Sequence, residues 1–222
     1  MDPIFIVRKC INPECGLRYT LPIQEGRGKR CPACHSEADT VGEPFCQLDV
    51  PRSDDPDNGP AIEILLDNIR SAWNVGSILR SSDGAGIRKI HLCGVSPRPD
   101  SSKVAKTALG AAEAVPWEYH ADGLQACNRL LGEGYRIWAL EGGPGAQNLC
   151  HTRVPVDRPI LLVVGNELTG IDPGILGCCE KVLFLPMAGM KGSLNVAVAF
   201  AAAVYWLRFT PALDAAGGKK KG

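Results

Sequence analysis

The feature that most constrains the fold is an apolar segment near the carboxyl end of the chain, residues 183–207. It predicts a short strand over residues 182–185, a loop, and a helix with no charged residue from 196 to 207. Ser193 is the predicted N-cap, with Asn195 inside the first turn. Because a bilayer span needs about 20 apolar residues, the helix belongs in the core of an α/β domain. The polar pair indicates either a ligand site at a helix start or a capped core helix.

Composition excludes several classes of protein. Of the 222 residues 45% are hydrophobic, and 24 basic side chains balance 24 acidic ones. Neither disorder nor a fibrous repeat is indicated. Because the positive and negative charges balance, any binding of nucleic acid must rest on local patches of positive charge. Residues 1–10 lack a basic region followed by a long apolar core, and we therefore expect a cytoplasmic protein with no signal peptide or membrane anchor.

Four of the ten cysteines form two closely spaced pairs near the N-terminus. They are Cys10, Cys15, Cys31 and Cys34. Each pair can direct two thiolates at one ion, and the spacing is that of a zinc ribbon, in which the metal replaces a hydrophobic core. We therefore predict a zinc ribbon over residues 1–45 with a structural zinc ion on these sulfurs. His35 and Cys46 are possible substitute ligands.

Basic side chains cluster on and before the second pair of cysteines. They are Arg18, Arg27, Lys29 and Arg30. Contact with RNA phosphates and a solvated basic loop explain this cluster equally well. We expect the ribbon to help bind structured RNA, with contact to another protein as the alternative.

Strand and helix patterns alternate beyond a predicted linker, residues 46–60, which is rich in Pro, Asp and Asn. Strands are predicted at 62–66, 89–93, 136–140, 160–164 and near Trp117, and helices at 75–84, 102–112, 124–131 and after Asp172. Such alternation predicts an α/β domain over residues 61–210, with a mostly parallel sheet and helices on both faces. Residues 211–222 are predicted to be a flexible basic tail.

Three loops that follow predicted strands carry the candidate site residues, at the sheet edge where ligands bind in open α/β folds. The first contains Asn74 and Arg80, and an arginine there suits a phosphate or a ribose. The second, residues 163–171, is bounded by glycines and carries the carboxylate of Glu167. The third precedes the apolar helix.

Other catalytic classes lack their signatures. Neither GxGxxG nor GxxxxGK[ST] occurs at a suitable place, which argues against a nucleotide-dependent oxidoreductase and a nucleoside triphosphatase. His91 lies in a predicted strand and His120 and His151 in predicted loops, without a convincing Ser-His-Asp context. No histidine is therefore predicted to be catalytic.

Taken together, the three loops resemble the SpoU (TrmH-like) family of SPOUT RNA 2′-O-ribose methyltransferases. The likeness covers roughly residues 61–209 and rests on NVGSILRSSDGAGI, VVGNELTGID and LPMAGMKGSLNVAVAFAAAVYWL, in the family's order. The stretch KTALGA, starting at Lys106, is also similar. Two departures stand out: Ser71-Ala72-Trp73 replaces a proline-containing lead, and the zinc ribbon replaces other RNA-binding appendages, which leaves the substrate open.

The resemblance implies a deep trefoil knot in the C-terminal segment, with S-adenosylmethionine bound bent inside it. The implied cofactor-binding residues are Leu140, Gly165, Leu185, Met187 and Leu194. The implied catalytic or substrate-positioning residues are Asn74, Arg80, Glu167, Ser193 and Asn195. It also implies a homodimer in which the neighbouring subunit completes each active site.

Several roles have two interpretations. Arg80 either removes the proton of the ribose 2′-hydroxyl or, since a guanidinium is normally protonated, orients phosphate and stabilises the developing alkoxide. Glu167 either braces its loop or positions substrate. Lys103 and Lys106 are phosphate contacts or solvated lysines, and Trp73 stacks on a base or, as we favour, packs on the core.

We therefore predict an S-adenosylmethionine-dependent RNA 2′-O-ribose methyltransferase that acts on structured tRNA or rRNA. The rival hypothesis is a non-catalytic RNA-binding protein that keeps the knotted fold. The presence of all five polar side chains of the implied active site argues against this rival.

Overall fold

The computed structural model describes residues 4–23, 28–46 and 59–210. The chain forms two compact units, Met1–Asp54 and Asp55–Gly222. Most of the predicted linker, the predicted tail at 211–222 and Arg27 lie outside the described residues.

The N-terminal unit contains a small antiparallel sheet. Its strands are β1 (Ile4–Cys10), β2 (Arg18–Pro22), β3 (Ala38–Thr40) and β4 (Phe45–Cys46). Strand β1 pairs with each of the other three. In the described part of this unit the buried hydrophobic residues are Cys10, Cys31 and Ala38. So small a core needs a cross-link to hold its fold, since few apolar side chains leave water.

The second unit is built on a seven-stranded sheet. Its strands are β5 (Ile62–Asp67), β6 (Lys89–Cys93), β7 (Trp117–His120), β8 (Arg136–Leu140), β9 (Gln147–Asn148), β10 (Ile160–Val164) and β11 (Lys181–Phe184). The spatial order is β7-β6-β5-β10-β8-β11-β9, and all neighbours pair in parallel. The predicted α/β fold with a mostly parallel sheet is confirmed.

Helices cover both faces of this sheet. They are α1 (Ala72–Gly84), α2 (Ser102–Ala108), α3 (Ala111–Ala114), α4 (Gly123–Gly132), α5 (Pro173–Leu176) and α6 (Val196–Phe209), with a 3₁₀ turn at Leu149–His151. Side chains of α1 and α6, such as Ile78 and Phe200, share one core with Ile64 and Leu66 of β5. Helices α4 and α5 pack on the other face. None of the helices in the described ranges has the length and hydropathy to cross a membrane.

The apolar terminal helix is buried as predicted, but its first turn is not where the sequence placed it. The N-cap is Asn195, whose side-chain oxygen accepts hydrogen bonds from the backbone N–H groups of Ala197 and Val198. The prediction of Ser193 as N-cap is therefore wrong. An asparagine caps a helix as well as a serine does, and residues 192–195 remain outside the helix.

Other predicted boundaries also differ. Helix α1 begins at Ala72, because Ser71 accepts a hydrogen bond from the backbone N–H of Asn74. The predicted helix 102–112 is broken at Leu109 and Gly110, whose φ angles of 50° and 90° end α2. His120 is the last residue of β7 rather than part of a loop.

Candidate active site and metal centre

A cavity of about 690 Å³ opens at the carboxyl ends of β8, β10 and β11. Its wall is formed by the loops after those three strands and by the start of α6. All five predicted cofactor-binding residues lie in this wall: Leu140, Gly165, Leu185, Met187 and Leu194. The cavity therefore lies where parallel strands end together, which is the usual ligand site of an open α/β sheet.

Gly165 allows the loop after β10 to close tightly on itself. A Cβ atom at this position would lie 2.5 Å from the backbone nitrogen of Ile171, too close for any other residue. Asn166 and Gly170 exchange backbone hydrogen bonds of 3.0 Å across the loop. The side-chain oxygen of Asn166 also accepts from the N–H of Leu168 at 2.8 Å. The backbone of this cavity wall is thus fixed by local hydrogen bonds.

Glu167 lies at the centre of a hydrogen-bonded cluster beside the cavity. Its carboxylate accepts hydrogen bonds from the backbone N–H groups of Arg70 and Ser71, at 3.0 and 3.2 Å. It also accepts from the side-chain amide of Asn74 at 2.8 Å. The side-chain oxygen of Asn74 in turn accepts from the amide of Asn195 at 3.1 Å. One side chain from each of the three loops therefore joins the cluster.

The cluster fixes the charge of Glu167. Burial by itself would raise the pKa of this carboxyl group, but the hydrogen bonds donated by Arg70, Asn74 and Ser71 outweigh burial and lower the pKa below its ordinary value. The carboxylate is therefore ionised at neutral pH and is occupied as an acceptor.

The five predicted catalytic residues do not all meet in one chain. Glu167, Ser193 and Asn195 line the cavity, and Asn74 is hydrogen-bonded to two of them. Arg80 is exposed, and it is not among the described residues that line the cavity. It follows Asn74 by six residues on α1, which places it about 240° further around the helix. A single chain thus brings four of the five residues together.

Sequence reasoning missed three polar residues that hold the site. Asp67 is buried, and its carboxylate accepts from the backbone N–H of Asp172 at 2.8 Å. Glu141 accepts from the N–H of Ile171 at 3.2 Å. The amide of Asn166 donates to the backbone oxygen of Asn68 at 2.7 Å. Asp67 ends an apolar strand and Glu141 directly follows one, a position that could have identified both.

The four predicted zinc ligands come together in the N-terminal unit. The sulfur atoms of Cys10, Cys15, Cys31 and Cys34 all lie within 4.8 Å of one another. The separations are 3.4 Å for Cys10 and Cys34 and 3.7 Å for Cys15 and Cys31. Tetrahedral zinc with bonds of about 2.3 Å requires sulfur atoms about 3.8 Å apart, so this set fits the ion. Among the described residues, neither Cys46 nor His35 belongs to this cluster.

The chain matches known methyltransferases. The model of the SpoU rRNA Methylase family matches residues 61–205. The tRNA (guanosine(18)-2′-O)-methyltransferase of Escherichia coli (strain K12) is 29% identical over 146 residues, which cover 66% of this chain and 62% of that protein. The 23S rRNA (guanosine-2′-O-)-methyltransferase RlmB of Pectobacterium atrosepticum is 32% identical over 162 residues, covering 71% and 63%. The matched region thus spans about three fifths of the length of these relatives.

A solved structure supports the same relationship. The AdoMet-bound rRNA methyltransferase from Sinorhizobium meliloti superposes with a TM-score of 0.63 at 25% sequence identity, over 74% of this chain and 62% of that one. The family match covers more than half of the chain, includes all three loops of the candidate site and agrees with this fold. The chain therefore belongs to the SpoU rRNA methylase family.

Proposed function

We propose that the protein transfers a methyl group from S-adenosylmethionine to the ribose 2′-hydroxyl of a nucleotide in structured tRNA or rRNA. The observation that carries this proposal is the cluster of Asn74, Glu167 and Asn195 beside the cavity, in a chain of this family. The two relatives described above are named as guanosine 2′-O-methyltransferases of tRNA and of 23S rRNA. Their names support both RNA classes as substrates.

The cavity suits the proposed cofactor. Its volume of about 690 Å³ falls within the range of about 300–1,000 Å³ that is usual for small-molecule sites. The wall combines apolar side chains, such as Leu140, Leu185 and Met187, with backbone groups of the loop that starts at Gly165. Apolar contact and backbone hydrogen bonds can therefore hold the adenine and the amino-acid part. When bound, the cofactor supplies an activated methyl group.

The chain's own contribution is chiefly positioning, because a displacement reaction depends on the alignment of donor and acceptor. We assign Glu167 a positioning role, since its carboxylate already accepts three hydrogen bonds and its lowered pKa makes it a weak base. It holds the segment from Arg70 to Asn74 against the loop after β10. Asn195 fixes the orientation of the Asn74 amide, and Ser193 lines the cavity, where it can contact a ribose.

The proposal includes a homodimer in which Arg80 acts on the neighbouring subunit's cavity. Val198, Tyr205 and Phe209 lie on one side of α6 and are 54%, 45% and 50% exposed, which leaves an apolar helix face for a second copy. Helix α1, which carries Arg80, packs against α6. Association through α6 would bring α1 of one subunit close to the other. We assign Arg80 the stabilisation of the developing alkoxide, since a guanidinium stays protonated.

The proposed trefoil knot is supported by the position of the last strand. Strand β11 lies between β8 and β9, with Leu183 paired to both Leu140 and Gln147. The loop of residues 141–146 connects those two outer strands and therefore has to pass over β11. A C-terminal segment that runs beneath an earlier loop is the arrangement that a knot requires.

Two further features belong to the proposal. The N-terminal unit is proposed to bind one structural zinc ion, on the basis of the four clustered sulfur atoms. A cytoplasmic location is proposed because the relatives are named for modifying tRNA and rRNA.

The experiment that tests the function is transfer of labelled methyl groups from S-adenosylmethionine to separate pools of unmodified tRNA and rRNA, followed by nucleoside analysis. We expect a 2′-O-methylated nucleoside from one of the two pools. Failure to transfer, together with failure to bind the cofactor, would support the non-catalytic RNA-binding hypothesis.

A further inference from the structure

A second cavity, of about 640 Å³, lies at the start of α1 and α2. We call it the α1–α2 groove. Its wall includes three cations, an aromatic ring and two serines: Arg70, Lys103, Lys106, Trp73, Ser71 and Ser101. No carboxylate is among the described residues that line it. The groove therefore presents positive charge beside an aromatic surface.

Trp73 is the unusual member of the groove. Its side chain is 73% exposed, so our expectation that it packs on the core is wrong. It occupies the second position of α1, directly before Asn74 of the hydrogen-bonded cluster. An exposed indole beside cations is the combination with which proteins bind unpaired nucleotides, because every base can stack on an aromatic ring.

The cations of the groove are available to a ligand. Lys103 and Lys106 are three residues apart on α2 and therefore lie on the same side of the helix. Both are exposed, and neither they nor Arg70 form an ion pair with any carboxylate in the described parts of the chain. The acidic residue nearest to Lys103 in the sequence is Asp100. Phosphate groups of a nucleic acid would supply the negative charges that pair with these cations.

The groove adjoins the candidate active site through a shared backbone segment. Arg70 and Ser71 line the groove, and their N–H groups donate to the carboxylate of Glu167, which lines the first cavity. A polynucleotide that places a ribose at the first cavity would therefore pass its neighbouring nucleotide along this segment.

We propose that the α1–α2 groove binds the nucleotide next to the methylated one, with its base stacked on Trp73 and its phosphates held by Arg70, Lys103 and Lys106. This inference rests on the proposed function, because it assumes an RNA substrate. A single-stranded RNA segment is favoured over a protein partner because the groove offers three cations and no carboxylate.

The stacking part is tested with Trp73→Ala and the matched variant Trp73→Phe. Affinity for a fluorescein-labelled single-stranded RNA of mixed sequence is measured by fluorescence anisotropy without S-adenosylmethionine. Loss of one base–aromatic stack predicts about a five- to hundredfold weaker affinity for Trp73→Ala. Trp73→Phe keeps an aromatic ring and should retain most of the wild-type affinity. Equal affinity of wild type and Trp73→Ala, or no binding by wild type, would overturn the proposal.

The electrostatic part is tested with the double variant Lys103→Glu/Lys106→Glu. Its control is Arg88→Glu, which reverses an exposed charge just before β6. The lysine variant should bind RNA more weakly. The slope of its log affinity against log salt concentration should be smaller by about 0.7 for each lost phosphate contact. The control should bind like wild type. An equal loss in the control would show that only net charge matters and would overturn the proposal.

Two further readouts separate this inference from its alternatives. Sedimentation of Trp73→Ala should give the same mass as wild type, and a smaller assembly would show that a second copy of the chain covers the groove. If Trp73→Ala loses RNA affinity while the wild type neither methylates RNA nor binds S-adenosylmethionine, the proposed function is contradicted and the groove is an RNA-binding surface without a methylated neighbour. If the wild type methylates RNA and Trp73→Ala binds RNA normally, the proposed function is supported and the proposed role of the α1–α2 groove is contradicted.

Discussion

Asn195 donates a hydrogen bond from its side-chain amide to the side-chain oxygen of Asn74, 121 positions away in the chain, over 3.1 Å. The oxygen of the same Asn195 amide caps α6 by accepting from Ala197 and Val198. Because Asn74 uses its own amide to donate to Glu167, both of its polar atoms are committed. The beginnings of the first and last helices of the second unit are therefore oriented by one polar contact.

The two functions of Asn195 can be separated by substitution. Asn195→Asp keeps the capping oxygen but removes the donor to Asn74, so we expect stability close to wild type and methyl transfer at least about tenfold slower. Asn195→Ala removes both functions and should also lower the free energy of unfolding by about 0.5–2 kcal/mol. Urea unfolding and single-turnover transfer measure the two effects. Full activity of Asn195→Asp would show that methyl transfer does not depend on this hydrogen bond.

The proposed sharing of the active site between subunits can be tested at Arg80 by mixing two inactive variants. Arg80→Ala and Asn195→Asp homodimers should each transfer methyl groups poorly while binding the cofactor. If Arg80 acts across the interface, a hybrid dimer contains one intact site, and activity should reappear after subunit exchange. If Arg80 acts within its own chain, both sites of the hybrid are defective and the mixture stays inactive. Near-normal turnover by Arg80→Ala alone would exclude Arg80 from the mechanism.

The cysteine cluster predicts about one zinc ion per chain. Cys10→Ser and Cys31→Ser alter buried ligands and should abolish zinc binding, whereas Cys46→Ser alters an exposed cysteine outside the cluster and should retain it. Metal analysis of freshly purified protein measures this directly. Because structural zinc contributes about 10–16 kcal/mol to folding, chelation should make the N-terminal unit sensitive to protease. A metal-free protein with a protease-resistant N-terminal unit would contradict the assignment.

Two histidines in the second unit form a hydrogen-bonded relay. Nδ1 of His91 lies 2.9 Å from Nε2 of His120, and Nε2 of His91 lies 2.8 Å from a carboxylate oxygen of Glu63. Burial, which outweighs the opposing charge of Glu118, lowers the pKa of His120 below its ordinary value of 6.5. Burial would raise the pKa of Glu63, but the hydrogen bond from His91 helps to bring it below 4.5.

This relay predicts acid sensitivity. The unfolded chain takes up a proton on His120 near pH 6.5, whereas the folded protein does so only at lower pH. The free energy of unfolding should therefore fall as pH drops from about 6.5 toward the lowered pKa, with the effect of Glu63 added below about 4.5. His120→Gln should flatten the upper part of this dependence in urea titrations. An unchanged dependence in His120→Gln would exclude His120 as its source.

The sequence predicted the elements whose local pattern decides their structure. Lys89–Cys93, Arg136–Leu140 and Ile160–Val164 are strands with the predicted bounds, because each is a short, mostly apolar segment between polar turns. The start of α6 was misplaced because Ser193 and Asn195 are equally good caps, and only the tertiary contact with Asn74 selects the asparagine.

Side-chain pairing across the chain was harder to predict. The sequence identifies Glu167 and Asn74 as polar loop residues, but their hydrogen bond depends on β5 and β10 being neighbours in the sheet. The exposure of Trp73 was equally hard to predict. A large apolar residue in the first turn of a helix ordinarily packs on the core, but Trp73 is 73% exposed because the described part of the folded chain places no other element over it.

The central claim, that the acceptor is a ribose 2′-hydroxyl, is tested most directly by alkaline hydrolysis of RNA methylated by the wild-type protein with labelled S-adenosylmethionine. A 2′-O-methyl group blocks cleavage of the adjoining phosphodiester, so the label should appear in an alkali-resistant dinucleotide, and Asn195→Asp should yield far less of it. Label recovered only in mononucleotides would place the methyl group on a base and contradict the account.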